Sequence, residues 1–257
     1  MRLANKVVVV TGGSRGIGEA ISIRFAKEGA KIVVNGCDDG EFSGSSKSVV
    51  EQIRSFGGEA IAFDCDVSSA EQVAQMFDVA EETFGKIDVL VANAGICPFA
   101  EFLNIDEALL DKTIGVNQKG VFFCAQQAMK RMIDKNIKGR ILMTSSVSSV
   151  FGGELQTHYC ATKGAVNQLM KSIAIAAGQF GITANAVLPG TVITDINRKE
   201  LEADPELLDY FVKRTPIGRL VTPDDIAAAM LFFASDESSG VSGATLIVDG
   251  GMSVNLQ

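Results

Sequence analysis

The chain has one histidine, His158, and among its five cysteines no pair at C-x-x-C spacing. A Cys/His metal centre is hard to assemble from that set, so no metal site is expected. The odd cysteine count argues against a disulfide framework. Cys37, Cys65, Cys97, Cys124 and Cys160 read as thiols of a reducing compartment. No apolar run approaches the roughly 20 residues that cross a bilayer. The segment Val7 to Val10 is too short for a signal-peptide core and has no small-residue cleavage pattern after it. A cytoplasmic protein is expected. An internal repeat and a Pro/Ser linker are also lacking, so residues 1–257 are read as a single domain. Positive charge is scarce: 23 Lys and Arg stand against 31 Asp and Glu, a net charge of -8. That disfavours nucleic acid and anionic membrane as partners.

Apolar residues make up 47% of the chain, enough for one sizeable core and against global disorder. They fall in short β-branched runs that alternate with helical stripes. Val7–Val10, Lys31–Asn35, Ala60–Phe63, Asp88–Ala92, Arg140–Thr144, Thr183–Leu188 and Thr245–Val248 read as strands. Ile17, Ile21 and Phe25 share one helical face. Val73, Met76, Phe77 and Ala80 recur at i, i+3, i+4 and i+7, as do Val166, Leu169, Met170 and Ile173. A further helix carries Ile226, Met230 and Phe233. Strand–helix alternation of this kind predicts a parallel sheet covered on both faces, an α/β fold. The stretch with Gly40, Ser43 and Gly44 reads as a loop or helix start. Residues 191–216 are the least regular and suit a lid over a substrate.

The first strand runs into Thr11-Gly12-Gly13-Ser14-Arg15-Gly16-Ile17-Gly18, and a helix follows. Bare backbone in such a turn can approach a pyrophosphate, whose charge then meets a helix N-terminus. The spacing is G-x-x-x-G-x-G rather than G-x-G-x-x-G, and a tight strand–helix turn alone also explains such a cluster. Asn93-Ala94-Gly95 follows the fourth strand, at the carboxyl edge where ligands of parallel sheets collect. Small residues there leave room for a ribose or a flat ring.

Tyr159 and Lys163 stand four apart on a predicted helix and so share a face. A tyrosine titrates near 10 and is a poor base at neutral pH; a lysine ammonium beside it favours the phenolate. Ser146 follows the strand Arg140–Thr144, where its hydroxyl can hold a reacting alcohol or carbonyl oxygen next to the Tyr159 phenol. One residue along a helix turns about 100°, so His158 and Cys160 should point away from that face. His158 is expected to be structural or at a substrate rim, not a general base. Cys97 can line the pocket, with nothing in the sequence to activate it.

In that order these motifs resemble the short-chain dehydrogenase/reductase family over essentially the full chain. The matching stretches are Thr11–Gly18, Asn93-Ala94-Gly95, Asn117 within Val116-Asn117-Gln118-Lys119-Gly120, Ser146, Tyr159-x-x-x-Lys163 and Pro189-Gly190. The resemblance implies a Rossmann-type, doubly wound, seven-stranded sheet and a homotetramer. It implies Tyr159 as proton acceptor and Lys163 as ribose ligand tuning it. Ser146 would orient substrate, and Asn117 would hold a water in a proton relay. The implied cofactor contacts are Gly12, Ser14, Arg15, Gly16, Ile17, Gly18, Gly36, Cys37, Asp66, Val67, Asn93, Ala94, Gly95, Tyr159, Lys163, Pro189, Gly190, Val192 and Thr194.

Within the family the chain is most similar to sugar 1-dehydrogenases. Residues 93–99, 156–159, 188–191, 194–197 and 254–257 look most like the L-rhamnose-oxidising members. That likeness implies oxidation of the anomeric hydroxyl of an aldose to a lactone. Besides Ser146 and Tyr159, Ser148, Gln156, Thr191 and Asn197 are the candidate partners of the sugar hydroxyls, which are costly to bury unpaired. The cofactor is expected to be NAD, with NADP possible. No Lys or Arg follows the second strand, where Gly36, Cys37, Asp38 and Asp39 stand, yet Arg15 is placed to take a 2′-phosphate. A carbonyl reductase of the 3-oxoacyl-carrier-protein type shares the catalytic motifs. A cofactor-binding protein without turnover is the third reading, against which the complete Ser146, Tyr159, Lys163 and Asn117 set stands.

Overall fold

The computed structural model describes residues 1–37, 45–194, 201 and 203–255. Seven parallel strands run β1 (Val7–Val10), β2 (Lys31–Gly36), β3 (Glu59–Asp64), β4 (Val89–Ala92), β5 (Arg140–Thr144), β6 (Thr183–Pro189) and β7 (Thr245–Val248). Their order across the sheet is β3-β2-β1-β4-β5-β6-β7. The chain winds outward from β1 to β3, then returns to the far side of β1 as β4. The carboxyl ends of β1 and β4 therefore flank the crevice where winding reverses, the place ligands occupy in such sheets.

Among the described residues the helices are α1 (Gly16–Lys27), α2 (Ser45–Ser55), α3 (Ala70–Phe84), α4 (Glu107–Ile114), α5 (Val121–Asp134), α6 (Thr157–Gly178), α7 (Pro205–Arg214) and α8 (Pro223–Ala234). They form two layers because side chains along a strand alternate between faces. In β1, Val7 and Val9 join the core under α3, α5 and α6, while Val8 and Val10 join the core under α1, α2 and α8. All four valines are buried, each contributing about 1.5–3 kcal/mol of apolar transfer. This two-sided burial explains why β1 reads as an unbroken apolar run.

Local signals fix the helix ends nearest the site. The Ser69 hydroxyl accepts from Gln72 N to start α3, and Gly85 ends it in the left-handed conformation at φ 81°. Thr222 and Asp225 form a reciprocal capping box at the start of α8, with Pro223 in its first turn.

Two sequence expectations change. The stretch 191–216 is not uniformly irregular, since it contains α7, begun by Asp204, whose carboxylate accepts from Glu206 N and Leu207 N. Helices α4 and α5 had no stripe singled out in the sequence. Between them the chain widens into a π-helical turn, Gly115–Gly120, which interrupts the 3.6 period. Asp38, Asp39, Gly40, Ser43, Gly44, Asn197, Leu256 and Gln257 lie outside the described residues.

Candidate active site

A cavity of about 470 Å³ opens along the carboxyl edge of β1, β4, β5 and β6. At one end stands the glycine turn. Gly12 and Gly16 adopt positive φ, 59° and 53°, which glycine alone tolerates freely. A Cβ on Gly18 would lie 1.9 Å from the Gly12 carbonyl oxygen, so α1 can start this close to the turn only with glycine there. The N-terminus of α1 thus faces the cavity with its unpaired N–H groups.

The turn is tied to its neighbours by short polar side chains. The Thr11 hydroxyl accepts from Asn93 N at 3.0 Å and from Ala94 N at 3.1 Å. The Asn93 amide donates to the Thr11 and Gly12 carbonyls, both at 3.1 Å, and its oxygen accepts from the Thr144 hydroxyl at 3.0 Å. On the other side Asn35, buried at the end of β2, accepts from Gly12 N at 3.2 Å through its side chain and from Gly13 N at 2.8 Å through its carbonyl. The ends of β1, β2, β4 and β5 are thereby locked in one network.

At the other end β5 delivers Ser145 and Ser146, and α6 delivers Tyr159 and Lys163. Ser146 caps a short 3-10 turn, its hydroxyl accepting from Ser148 N at 3.1 Å. Lys163 is buried, and its ammonium donates to the Thr144 carbonyl at 2.8 Å. The same nitrogen lies 5.5 Å from the centroid of the Tyr159 ring, the expected one-face arrangement. A Cβ on Gly95 would come within 3.4 Å of both the Lys163 ammonium and the Asn117 amide oxygen. That glycine keeps the floor between them bare.

Burial sets the protonation states. It pushes the Tyr159 phenol above its ordinary range, helped by the Cys97 thiol and opposed by the Ser146 hydroxyl within hydrogen-bonding reach. It pulls Lys163 down to about 8, with the Cys97 thiol acting against the shift. Desolvation is the largest influence on the phenol, so the lowering expected from a lysine beside it does not appear before a ligand is bound. Burial also raises Cys97 to about 12, so its thiol is no nucleophile at neutral pH.

All the candidate cofactor residues line this one cavity, from Gly12 to Thr194, and so do Ser146, Ser148, Gln156 and Thr191. Ser148 donates to the Gln156 side-chain oxygen at 3.3 Å, which pairs two of the candidate sugar contacts. Asn117 is set apart. It is wholly buried behind the lining, its amide donating to the Ile96 carbonyl at 2.8 Å and to Thr162 at 3.2 Å, and its oxygen accepting from Ile96 N at 2.8 Å. His158 is buried and not at a substrate rim. Neither ring nitrogen has a hydrogen-bond partner among the described residues. Cys97 lines the cavity, as do Ile96, Phe99, Lys112, Val116 and Val147, which sequence reading did not single out. Asn35 and Thr162 were also missed. A polar residue ending the apolar run Lys31–Asn35 was the available signal for Asn35.

Among the described residues no helix is long and apolar enough to cross a membrane, and no cluster of three or more metal-ligating side chains occurs. A family model described as Enoyl-(Acyl carrier protein) reductase matches residues 12–253. An L-rhamnose 1-dehydrogenase (NAD(P)(+)) of Azotobacter vinelandii is 46% identical, with 100% of both chains covered. An L-rhamnose 1-dehydrogenase (NADP(+)) of Thermoplasma acidophilum is 44% identical, covering 98% of each chain. The crystal structure of a short-chain type dehydrogenase/reductase from Mycobacterium marinum superposes with a TM-score of 0.91 at 30% identity, covering 97% of this chain and 96% of that one. A glycine turn, a Tyr159–Lys163 face and a Ser146 hydroxyl on one cavity, in a chain this similar end to end, lead to one conclusion: the protein belongs to the short-chain dehydrogenase/reductase family of oxidoreductases.

Proposed function

We propose that the protein oxidises the C1 hydroxyl of an aldose, L-rhamnose foremost, to the lactone, using NAD and also accepting NADP. The observation that carries the chemistry is Tyr159 and Ser146 within hydrogen-bonding reach of each other above a buried lysine, in one cavity with the glycine turn. The substrate follows from relatives named L-rhamnose 1-dehydrogenase that are 44–46% identical over nearly the whole chain.

The residues fit a dinucleotide. A Cβ on Gly12 would lie 2.9 Å from the Ala94 Cα, so only glycine lets the turn pack this closely on the end of β4 while the start of α1 lines the cavity, where a pyrophosphate would meet it. Asp66 and Val67 line the adenine end, Pro189, Gly190, Val192 and Thr194 the nicotinamide end, and Lys163 the ribose between. Arg15 on the lining is a cation a 2′-phosphate could pair with, while the Asp64 carboxylate, which a Cβ on Gly36 would meet at 2.6 Å, stands at the end of β2 and favours NAD over NADP. When bound, the nicotinamide ring supplies the hydride acceptor.

Ser146 holds the anomeric hydroxyl against Tyr159. Tyr159 takes its proton as the C1 hydride leaves. Lys163 stabilises the phenolate, and Asn117, its amide hydrogens already given to Ile96 and Thr162, would pass the proton outward through a water at its remaining acceptor site. Ser148, Gln156, Thr191 and Asn197 bind the other sugar hydroxyls. Residues 191–216 close over the substrate.

The same reading makes the protein a cytoplasmic homotetramer. Leu246 and Ile247 on the edge strand β7 and Val254 beyond it are exposed, apolar area that suits self-association. Light scattering that returns a monomer would remove the tetramer.

The test is initial rate across a panel of aldoses with NAD and NADP, followed at the absorbance of reduced nicotinamide. Turnover of L-rhamnose, with glucose much slower, is the expected result. No aldose turnover, but oxidation of the reduced cofactor by acetoacetyl thioesters, would replace this reading with a carbonyl reductase.

A further inference from the structure

The adenine end of the cavity contains two thiols that the proposed reaction does not use. Strands β2 and β3 pair in register up to Gly36 and Asp64. One residue further on stand Cys37 and Cys65, and Cys65 N donates to the Gly36 carbonyl at 2.9 Å, which continues the ladder. Adjacent strands lie about 4.8 Å apart. Disulfides span Cα separations of about 4.4–6.8 Å, so the backbone is already within range. Alternation puts residues 35, 37 and 65 on one face. The Asn35 amide accordingly donates to the Cys65 sulfur at 3.4 Å. Both thiols line the cavity, Cys37 exposed to solvent and Cys65 buried beneath it.

We infer that Cys37 and Cys65 are a peroxide-sensitive thiol pair whose disulfide closes the adenosine end of the cavity. Peroxide oxidises the exposed Cys37 thiol to a sulfenic acid and is itself reduced to water. The Cys65 sulfur then attacks the Cys37 sulfur, its proton and the sulfenic hydroxide leaving as a second water. Two thiols lose two electrons and two protons in all, and one peroxide becomes two waters. Burial and the neighbouring Cys37 hold Cys65 up at about 12, so little of it is thiolate at neutral pH, and its attack on the oxidised Cys37 is the slow step, which rising pH speeds.

The consequence runs through Asn35. Its amide also donates to the Cys65 carbonyl at 3.2 Å, and its oxygen holds Gly12 N. Drawing Cys65 toward Cys37 pulls on the residue that anchors the glycine turn, and the new S–S bond occupies lining surface. Dinucleotide bound there covers both sulfurs and slows their oxidation. This step rests on the proposed dinucleotide function.

The experiment treats the full-length reduced protein with hydrogen peroxide, with and without NAD, and reads two signals. Peptide mapping is expected to show a Cys37–Cys65 linkage that dithiothreitol reverses and NAD suppresses. NAD affinity by titration calorimetry is expected to fall at least about tenfold, or 1.4 kcal/mol, and to recover on reduction. In Cys37→Ser, peroxide should leave Cys65 a thiol and the affinity unchanged by treatment. Linkage to a different cysteine, over-oxidation of Cys37 with Cys65 intact, or linkage without loss of affinity would each overturn the inference. Failure of the reduced protein to bind either dinucleotide would instead overturn the proposed function, and the peptide map would still decide the thiol pair.

Discussion

Replacing Lys163 by methionine should abolish turnover and make the protein more stable. The ammonium is buried, and burial draws it from the ordinary lysine value of 10.5 down to about 8. At about 1.36 kcal/mol for each pH unit, that gap costs the folded state roughly 3 kcal/mol wherever the lysine is charged both folded and unfolded. Methionine fills similar space without charge. It loses the charged hydrogen bond to the Thr144 carbonyl, worth about 1.5–3 kcal/mol. The net gain at pH 7 is about 0–2 kcal/mol. The sign with pH follows from the direction of the shift. Between about 8 and 10.5 the unfolded chain binds the extra proton, so the stability of the parent rises with pH across that window and its deficit to Lys163→Met closes. Equilibrium denaturant unfolding of both proteins at pH 7 and above pH 10.5 measures this. A variant less stable than the parent at pH 7, or a gap that does not change with pH, would refute the reasoning.

Tyr159→Phe keeps the ring beside the lysine but removes the proposed proton acceptor. Turnover should fall by about 10²–10⁴ or more, while NAD affinity stays within about twofold in a fluorescence titration. Gly18→Ala forces a Cβ against the Gly12 carbonyl and should cost about 1–3 kcal/mol or more in urea unfolding, with a larger loss in NAD affinity. Asp225 is held well below the usual carboxylate range, first by Arg219 and then by Thr222 N. Its contribution is therefore present above about pH 4 and lost as pH falls. Asp225→Asn should lower the melting temperature at pH 7, with a difference from the parent that narrows in acid. An equal difference at every pH would show that the charge plays no part.

The legible part of the fold was the part decided by period. β1, β5 and β7 have the bounds that their apolar runs predict, and the stripe Val73, Met76, Phe77, Ala80 is the buried face of α3. The glycine turn was legible because its conformations exclude side chains. Helices α4 and α5 were not. Their apolar residues are shared between the core and exposed positions such as Leu110 and Phe122, and the π-helical turn shifts the face between them. Asn35 escaped because a polar residue closing an apolar strand reads as the start of a loop. Only the sheet order brings it beside Gly12, 23 positions away in the chain. Rotation alone turned the solitary His158 off the catalytic face and left two settings open, structural or rim, of which the structure gives the structural one. It does turn from the catalytic face, but inward, because 100° from a cavity-facing residue on α6 is the core and not the rim.

The same burial that makes the site costly to fold makes its proton chemistry conditional. Desolvation raises Tyr159 and lowers Lys163 to about 8, so at neutral pH the phenol is protonated while the lysine keeps most of its charge. With the phenol protonated, Tyr159 is no base. A positive charge arriving in the cavity reverses this, since it favours phenolate and disfavours lysinium alike. An oxidised nicotinamide carries such a charge and its reduced form does not. On the proposed mechanism Tyr159 would then act as proton acceptor when the oxidised cofactor is bound and as proton donor when the reduced one is. The Lys163 ammonium keeps its charge while it donates to the Thr144 carbonyl, so it would favour the phenolate alongside the charge of the ring.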